Sequence, residues 1–302
     1  VGSDLLSANS HVNPVVPARF YDTRPAVLGL VRGSEPPLRV ASLSRPAGFA
    51  VMAQSDSAWW GYYWDQISAR VSTSLPQRIW MAYDKSTDLL SPRRVNDLSD
   101  KMKDLDAGKI RRLLELASVG VLTSYREMED PSLIPAGQVA RQTNVPLRFY
   151  RSRDPLPRAY LVGRVRPESG GILEDLTDPG FDPRFEAYLA GISEAAGEGG
   201  GEGRVRIVED LPEKIVLEVS SGHPGWLVLT DNIYPGWSAE LEGRRAEILR
   251  ANHLFRAVKV PAGDSRVVFR YRPLSLWMGA AGSLVSLAAG IAWVLRSRRG
   301  KR

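Results

Sequence analysis

LSLWMGAAGSLVSLAAGIAWVL, residues 274–295, runs for 22 residues without a charged side chain. As a helix it rises about 33 Å, enough to cross the ~30 Å hydrocarbon layer of a bilayer with some tilt. A helix in a soluble core keeps a polar stripe over six turns, and this one has none. A membrane span is therefore the expectation, with a buried core helix as the alternative. Trp277 and Trp293 stand near its two ends, where aromatic belts form. Gly279, Gly282 and Gly290, among small neighbours such as Ala280, Ser283 and Ala289, offer close-packing surface to other transmembrane helices.

Charge around the segment gives its direction. Arg296, Arg298, Arg299, Lys301 and Arg302 follow it, whereas only Arg270 and Arg272 lie just before it. The excess of cations predicts a cytoplasmic basic tail, residues 296–302, and an extracytoplasmic body, residues 1–273. Those five cations supply most of the net +6; without them 35 basic residues face 34 acidic ones. A body so nearly neutral has no field for a phosphate backbone, which argues against nucleic-acid binding. Cysteine is absent, so disulfides, thiolate nucleophiles and Cys-ligated metals are excluded. Residues 1–30 show no basic stretch followed by an apolar run, and position 1 is Val. The expectation is a fragment whose upstream part holds at least one further membrane segment.

Immediately before the span the texture is all β. Residues 205–208, 214–219, 226–230, 238–241, 246–249, 255–260 and 266–271 read as seven short strands separated by turn residues, which predicts a small sandwich over 204–273. Val267, Phe269 and Tyr271 alternate with Val268, Arg270 and Arg272, giving the last strand one apolar and one mostly charged face. Glu242-Gly243 suits a two-residue hairpin turn, and Pro261-Ala262-Gly263-Asp264 suits the next. Only Pro273 separates the last strand from the span, so the sandwich stands close to the membrane.

Residues 197–203, GEGGGEG, read as a flexible polar linker. Upstream, strand-like runs at 38–43, 119–124, 147–151 and 158–165 alternate with helical patterns near 95–105, 109–117 and 183–195, which predicts an α/β domain over 1–196. Ile110, Leu113, Leu114 and Ala117 recur at helical spacing and Val119-Gly120-Val121-Leu122 follows at once, a helix-to-strand passage of layered folds. The fold class is thus α+β: an outward α/β domain, a small all-β sandwich and one C-terminal transmembrane helix.

The stretch from Leu229 through Tyr234-Pro235-Gly236-Trp237 to Ala239, with Leu241-Glu242-Gly243, Phe255-Arg256-Ala257-Val258, Val260-Pro261-Ala262-Gly263 and Phe269-Arg270-Tyr271-Arg272-Pro273, resembles the C-terminal region of YfhO-like bacterial membrane proteins. Arg39-Val40, Tyr83-Asp84 with Leu89-Leu90-Ser91-Pro92, the passage at 113–121 and Leu156-Pro157-Arg158-Ala159-Tyr160 resemble the outward domain of the same family. The resemblance implies a polytopic protein akin to GT-C glycosyltransferases, which use lipid-phosphate-linked sugars to modify envelope polymers. It implies a catalytic carboxylate in an early outward loop, outside this chain, so no catalytic residue is carried over.

Among candidate contact residues, Trp59, Trp60, Tyr62, Tyr63 and Trp64 place five aromatics in six positions. Such rings stack on the apolar face of a pyranose, sit at a membrane interface or fill a core, and the sequence leaves the three readings open. Tyr234 and Trp237 flank a Pro-Gly turn, where Trp237 either plugs the sandwich core or forms an aromatic lip for substrate. Asp231-Asn232 reads first as a turn former and second as a sugar or calcium ligand. His11, His223 and His253 have no metal-ligand spacing, and no Gly-x-Ser-x-Gly elbow occurs. Asp84 and Asp88, like Asp100 and Asp104, would share a helix face, with solvated charge as the ordinary role. No metal and no cofactor is expected.

The expected partners are the lipid bilayer, the transmembrane helices of an upstream part, and a glycan or polyprenyl-phosphate sugar. The leading functional expectation is the non-catalytic outward part of a glycosyl-transferring membrane protein. A membrane-anchored glycan-binding or envelope-assembly module is the alternative, and a single-span sensor has too short a tail to signal.

Overall fold

The computed structural model describes residues 24, 26–31, 38–43, 79–83, 92–140, 145–197, 201 and 203–299. The chain divides into two compact units, one of Val1–Arg158, Glu168–Pro183 and Asn252–Leu254, the other of Ala159–Pro167, Arg184–Ala251 and Phe255–Arg302.

In the first unit the described elements are α1 (Leu28–Val31), β1 (Arg39–Ser42), β2 (Met81–Ala82), α2 (Arg93–Lys101) with a 3₁₀ turn at Met102–Asp104, α3 (Ala107–Leu116), β3 (Val119–Ser124), β4 (Leu133–Val139), β5 (Leu147–Ser152) and α4 (Ile172–Thr177). The strands form one mixed sheet in the order β2-β1-β3-β5-β4, parallel from β2 to β3 and antiparallel beyond it. The passage from α3 to β3 shows how the sequence builds it. Asp106 caps α3 by accepting the Lys109 N–H at 2.8 Å. Ile110, Leu113 and Leu114 share the buried face, and Ser118 reverses the chain at φ 59° into a strand with all six residues buried. Val27, Val40, Ile79, Val121, Tyr125, Leu147 and Phe149 pack together as the core of one face.

The second unit holds β6 (Ala159–Val162), β7 (Arg164–Pro167), β8 (Glu186–Leu189), β9 (Gly203–Leu211), β10 (Lys214–Ser221), β11 (Gly225–Asn232), β12 (Trp237–Leu241), β13 (Arg244–Ala246), β14 (Leu249–Ala251), β15 (Phe255–Val260), β16 (Gly263–Tyr271) and α5 (Leu274–Arg299). One sheet runs β13-β12-β16-β10-β9 and the other β6-β11-β15-β14-β8-β7. Their inner faces meet in a single core. Ile215, Leu217, Val219, Ala239, Val267 and Phe269 of the first sheet pack with Ala159, Leu161, Leu227, Leu229, Val258 and Val260 of the second. The alternation of β16 is as its pattern requires, with Val267 and Phe269 fully buried. Glu242 and Gly243 take φ 49° and 73° between the paired Leu241 and Arg244, the two positive values of a type I′ turn.

Several expectations are corrected. Residues 183–195 are not helical: Glu186-Ala187-Tyr188-Leu189 is a buried strand, its apolar run satisfied by parallel pairing with β7. The run 158–165 is two strands, broken at Gly163, and 246–249 lies across β13 and β14, which belong to different sheets. The turn before β16 is no hairpin, because β15 and β16 pair in separate sheets and residues 261–262 carry the chain between them. The sandwich also recruits β6, β7 and β8 from before the glycine run, so its unit does not begin at 204. The glycine run itself is packed where it is described. A Cβ at Gly197, Gly201 or Gly203 would overlap the backbone oxygen of Gly163, Leu161 or Ser220, so these glycines serve close approach rather than flexibility.

Helix α5 spans 26 residues and includes 296–299 of the expected tail. Its stretch Leu274–Trp293 is long and apolar enough to cross a membrane, and none of it is buried. Nine large apolar side chains from Leu274 to Trp293 are between 53% and 72% exposed, so among the described residues α5 is not packed as a core helix. Transferring them from water to lipid at roughly 1–2 kcal/mol each is worth on the order of 10–20 kcal/mol.

Candidate functional site

Two features of the second unit bring polar chemistry and aromatic rings together. The first is a knot around the Tyr-Pro-Gly-Trp turn. Along β15, residues 256, 258 and 260 share the inward face, so Arg256 enters the sandwich beside Val258 and Val260 and is 2% exposed. Its guanidinium lies 3.9 Å over the Trp237 ring and 5.2 Å from the Phe269 ring. Its Nη2 donates to Asp231 Oδ2 at 3.1 Å, and Nε to the Asp231 carbonyl at 3.4 Å. Asp231 is therefore the counter-ion of a buried cation and not a turn former, a correction that follows from its place in β11.

The same turn braces the exit toward α5. Gly236, at φ +106°, accepts the Arg272 N–H at 2.8 Å, and a Cβ there would crowd Pro273 and the Tyr271 ring. Trp237 and Tyr271 stack obliquely with centroids 5.2 Å apart. Trp237 is partly buried against the core, while Tyr234 points to the surface with 38% exposure. Trp59, Trp60, Tyr62, Tyr63 and Trp64 lie outside the described residues.

The second feature is a cleft of about 540 Å³ lined by residues of both sheets. Leu241, Ala246, Leu249 and Val258 give it apolar surface, and Trp226 adds an aromatic one. Trp226 and Lys259 are cross-strand partners of β11 and β15, with Nζ 6.0 Å from the indole ring. Arg244 and Arg245, at the mouth of the β12–β13 hairpin, bring two more cations, and Glu242 and Glu247 two carboxylates. The volume falls within the ~300–1,000 Å³ of small-ligand sites. An indole face beside exposed cations suits a sugar ring carrying a negative substituent. The lining runs from Pro261, just before β16, to Ala246, which stands level with Phe269 through its pairing with Ala239. Sequence reading missed it. Its only advance signal was Trp226 opposite Lys259, and pairing opposite is a property of register.

Other candidates stay apart. His223 is exposed in the β10–β11 loop, and His253 stands 3.5 Å from Glu168 in the first unit. Among the described residues no group of three His, Asp or Glu side chains is placed to hold a metal. Asp100 pairs with Lys103, whereas Asp104 lies beyond the end of α2, so the two do not share one helix face. Asp84 and Asp88 are outside the described residues. The N–H of Lys109, donating to its carboxylate, holds Asp106 below the usual carboxylate range, a capping effect and not a catalytic one. In the first unit, Tyr83 donates to the Leu113 carbonyl at 2.6 Å and Arg39 to that of Ala117 at 3.3 Å, so two residues of the family-like motifs fasten α3. Comparison with known proteins yields no matching family model, no matching curated protein and no matching solved structure.

Proposed function

We propose that this chain is the extracytoplasmic, non-catalytic part of a YfhO-like polytopic membrane protein. In this reading it holds an envelope glycan while sugar is transferred to it from a polyprenyl-phosphate donor. One observation carries the proposal: an unburied apolar helix of bilayer length continues directly from the central strand of a sandwich that bears an aromatic, cation-lined cleft. In this arrangement α5 fixes the cleft a set height above the lipid, with residues 296–302 in the cytoplasm and other transmembrane helices packed on its glycines. The catalytic carboxylate belongs to an outward loop of a companion membrane segment. The kinship rests on the short motifs from Arg39 to Pro273, of which Tyr234-Pro235-Gly236-Trp237 is the most specific.

A second reading, a membrane-anchored glycan-binding or assembly module, is favoured by the completeness of the cleft, all of whose lining comes from residues 226–261 of this chain. Binding of acidic and neutral envelope oligosaccharides to the full chain in detergent tests what the two readings share. Trp226→Ala is expected to abolish retention of the acidic sugars, with near-ultraviolet dichroism otherwise preserved. No retention by the parent, or retention unchanged in the variant, contradicts both. Sugar transfer from lipid-linked donors in membranes carrying the full reading frame then separates them.

A further inference from the structure

The way β16 leaves the sandwich points to a second contact with lipid. β16 is the middle strand of its sheet, flanked by β12 and β10, and it enters α5 after only Arg272 and Pro273. On one side Arg272 N donates to Gly236 O at 2.8 Å, which ties the 234–237 turn to the exit. On the other, Tyr271 N donates to Glu213 O at 2.8 Å, which ties the β9–β10 turn to the same point. Leu274 is three residues past Tyr271, so it lies at most about 10 Å further along. Both turns are thus held within roughly 13 Å of the first residue of the apolar helix.

What these turns display is unusual for loops facing water. Leu211 is 44% exposed beside Pro212, Tyr234 is 38% exposed beside Pro235, and Arg272 is exposed between the two turns. Elsewhere in the sandwich, the β12–β13 turn displays Glu242 and Gly243, and the β10–β11 loop Gly222, His223 and Pro224. An aliphatic and a phenol, flanking an arginine at the foot of a membrane-length helix, are the side chains that partition into the headgroup layer. We propose that the 211–213 and 234–236 turns rest in the bilayer interface on either side of α5. Leu211 and Tyr234 then sit among the upper acyl carbons, with Arg272 at lipid phosphate. Glu213 in the same hairpin keeps the insertion to the depth of the headgroups. A sandwich seated on two feet and one stem has a fixed tilt, which holds the cleft at a constant height.

This inference rests on α5 being the tether, and its test separates the two ideas. Because the chain contains no cysteine, single cysteines introduced as Leu211→Cys, Tyr234→Cys, His223→Cys and Val285→Cys each carry one nitroxide label. The full-length chain is reconstituted in vesicles of phosphatidylethanolamine and phosphatidylglycerol, and label collision with dissolved oxygen is compared with collision with a water-soluble nickel chelate. The expected result is a several-fold higher oxygen-to-nickel ratio at 211 and 234 than at 223, with 285 the highest of all. Ratios at 211 and 234 equal to that at 223, with 285 deep in lipid, overturn the interfacial footing alone. A water-exposed label at 285 overturns the tether and the footing together.

Discussion

Changing Asp231 to Asn removes the counter-charge of Arg256, whose side chain is 2% exposed, while Asp231 itself is 14% exposed. Breaking a buried ion pair from one side costs about 3–5 kcal/mol, because the remaining charge is left without compensation in a poorly polarisable interior. Asn keeps an acceptor for Nη2, and the Trp237 ring still lies 3.9 Å beneath the guanidinium, so the lower end, about 3 kcal/mol, applies. For a unit of roughly 100 residues, that lowers the melting temperature by about 12–20 °C. The double variant Asp231→Leu with Arg256→Met replaces the pair by apolar side chains and should recover all but about 1 kcal/mol of the loss. Thermal unfolding in detergent, followed by near-ultraviolet dichroism of the tryptophans, reads the parent, Asp231→Asn, the singles Asp231→Leu and Arg256→Met, and their double variant. A drop under about 5 °C for Asp231→Asn, or a double variant as unstable as the sum of its singles, would refute the buried-pair account.

Three further outcomes follow from the packing. Gly203→Ala places a methyl against the Ser220 oxygen and should cost roughly 1–3 kcal/mol, whereas Gly222→Ala, which meets nothing within 4 Å, should be nearly neutral in the same melt. Asp106→Ala should destabilise the first unit by about 1 kcal/mol through loss of the α3 cap, seen as faster amide exchange at Lys109. Because the folded state lowers the Asp106 pKa below its unfolded value of 3.8, the ionic part of that cap is complete above pH 3.8 and fades as pH falls through the folded value. Solvent screening of this exposed carboxylate keeps the effect small, and Asp106→Ala should show no such acid limb.

The elements that were legible in sequence are those fixed by local pattern. Residues 119–124 and 255–260 show the β-branched and alternating textures of strands, and their observed bounds are the expected ones. Glu242-Gly243 fixed its own turn because a type I′ geometry needs two positive φ values. Where tertiary pairing decided, local pattern failed. Glu186–Leu189 has helix-forming neighbours, yet becomes a strand because its four side chains are all buried and its backbone pairs with β7. The burial of Arg256 has no local signal, because Asp231, 25 residues earlier, is brought beside it only by the β11–β15 register. The cleft was hidden for the same reason, since Trp226, Arg244 and Lys259 meet only after the strands have paired.

The central claim is that α5 crosses a bilayer with its arginine-rich end inside. An impermeant maleimide added to intact cells expressing Ala262→Cys or Ser297→Cys, each the sole cysteine of its chain, tests it directly. The account predicts labelling at 262 in intact cells, and at 297 only after the membrane is opened. Labelling at 297 in intact cells, or protection at 262, would contradict it.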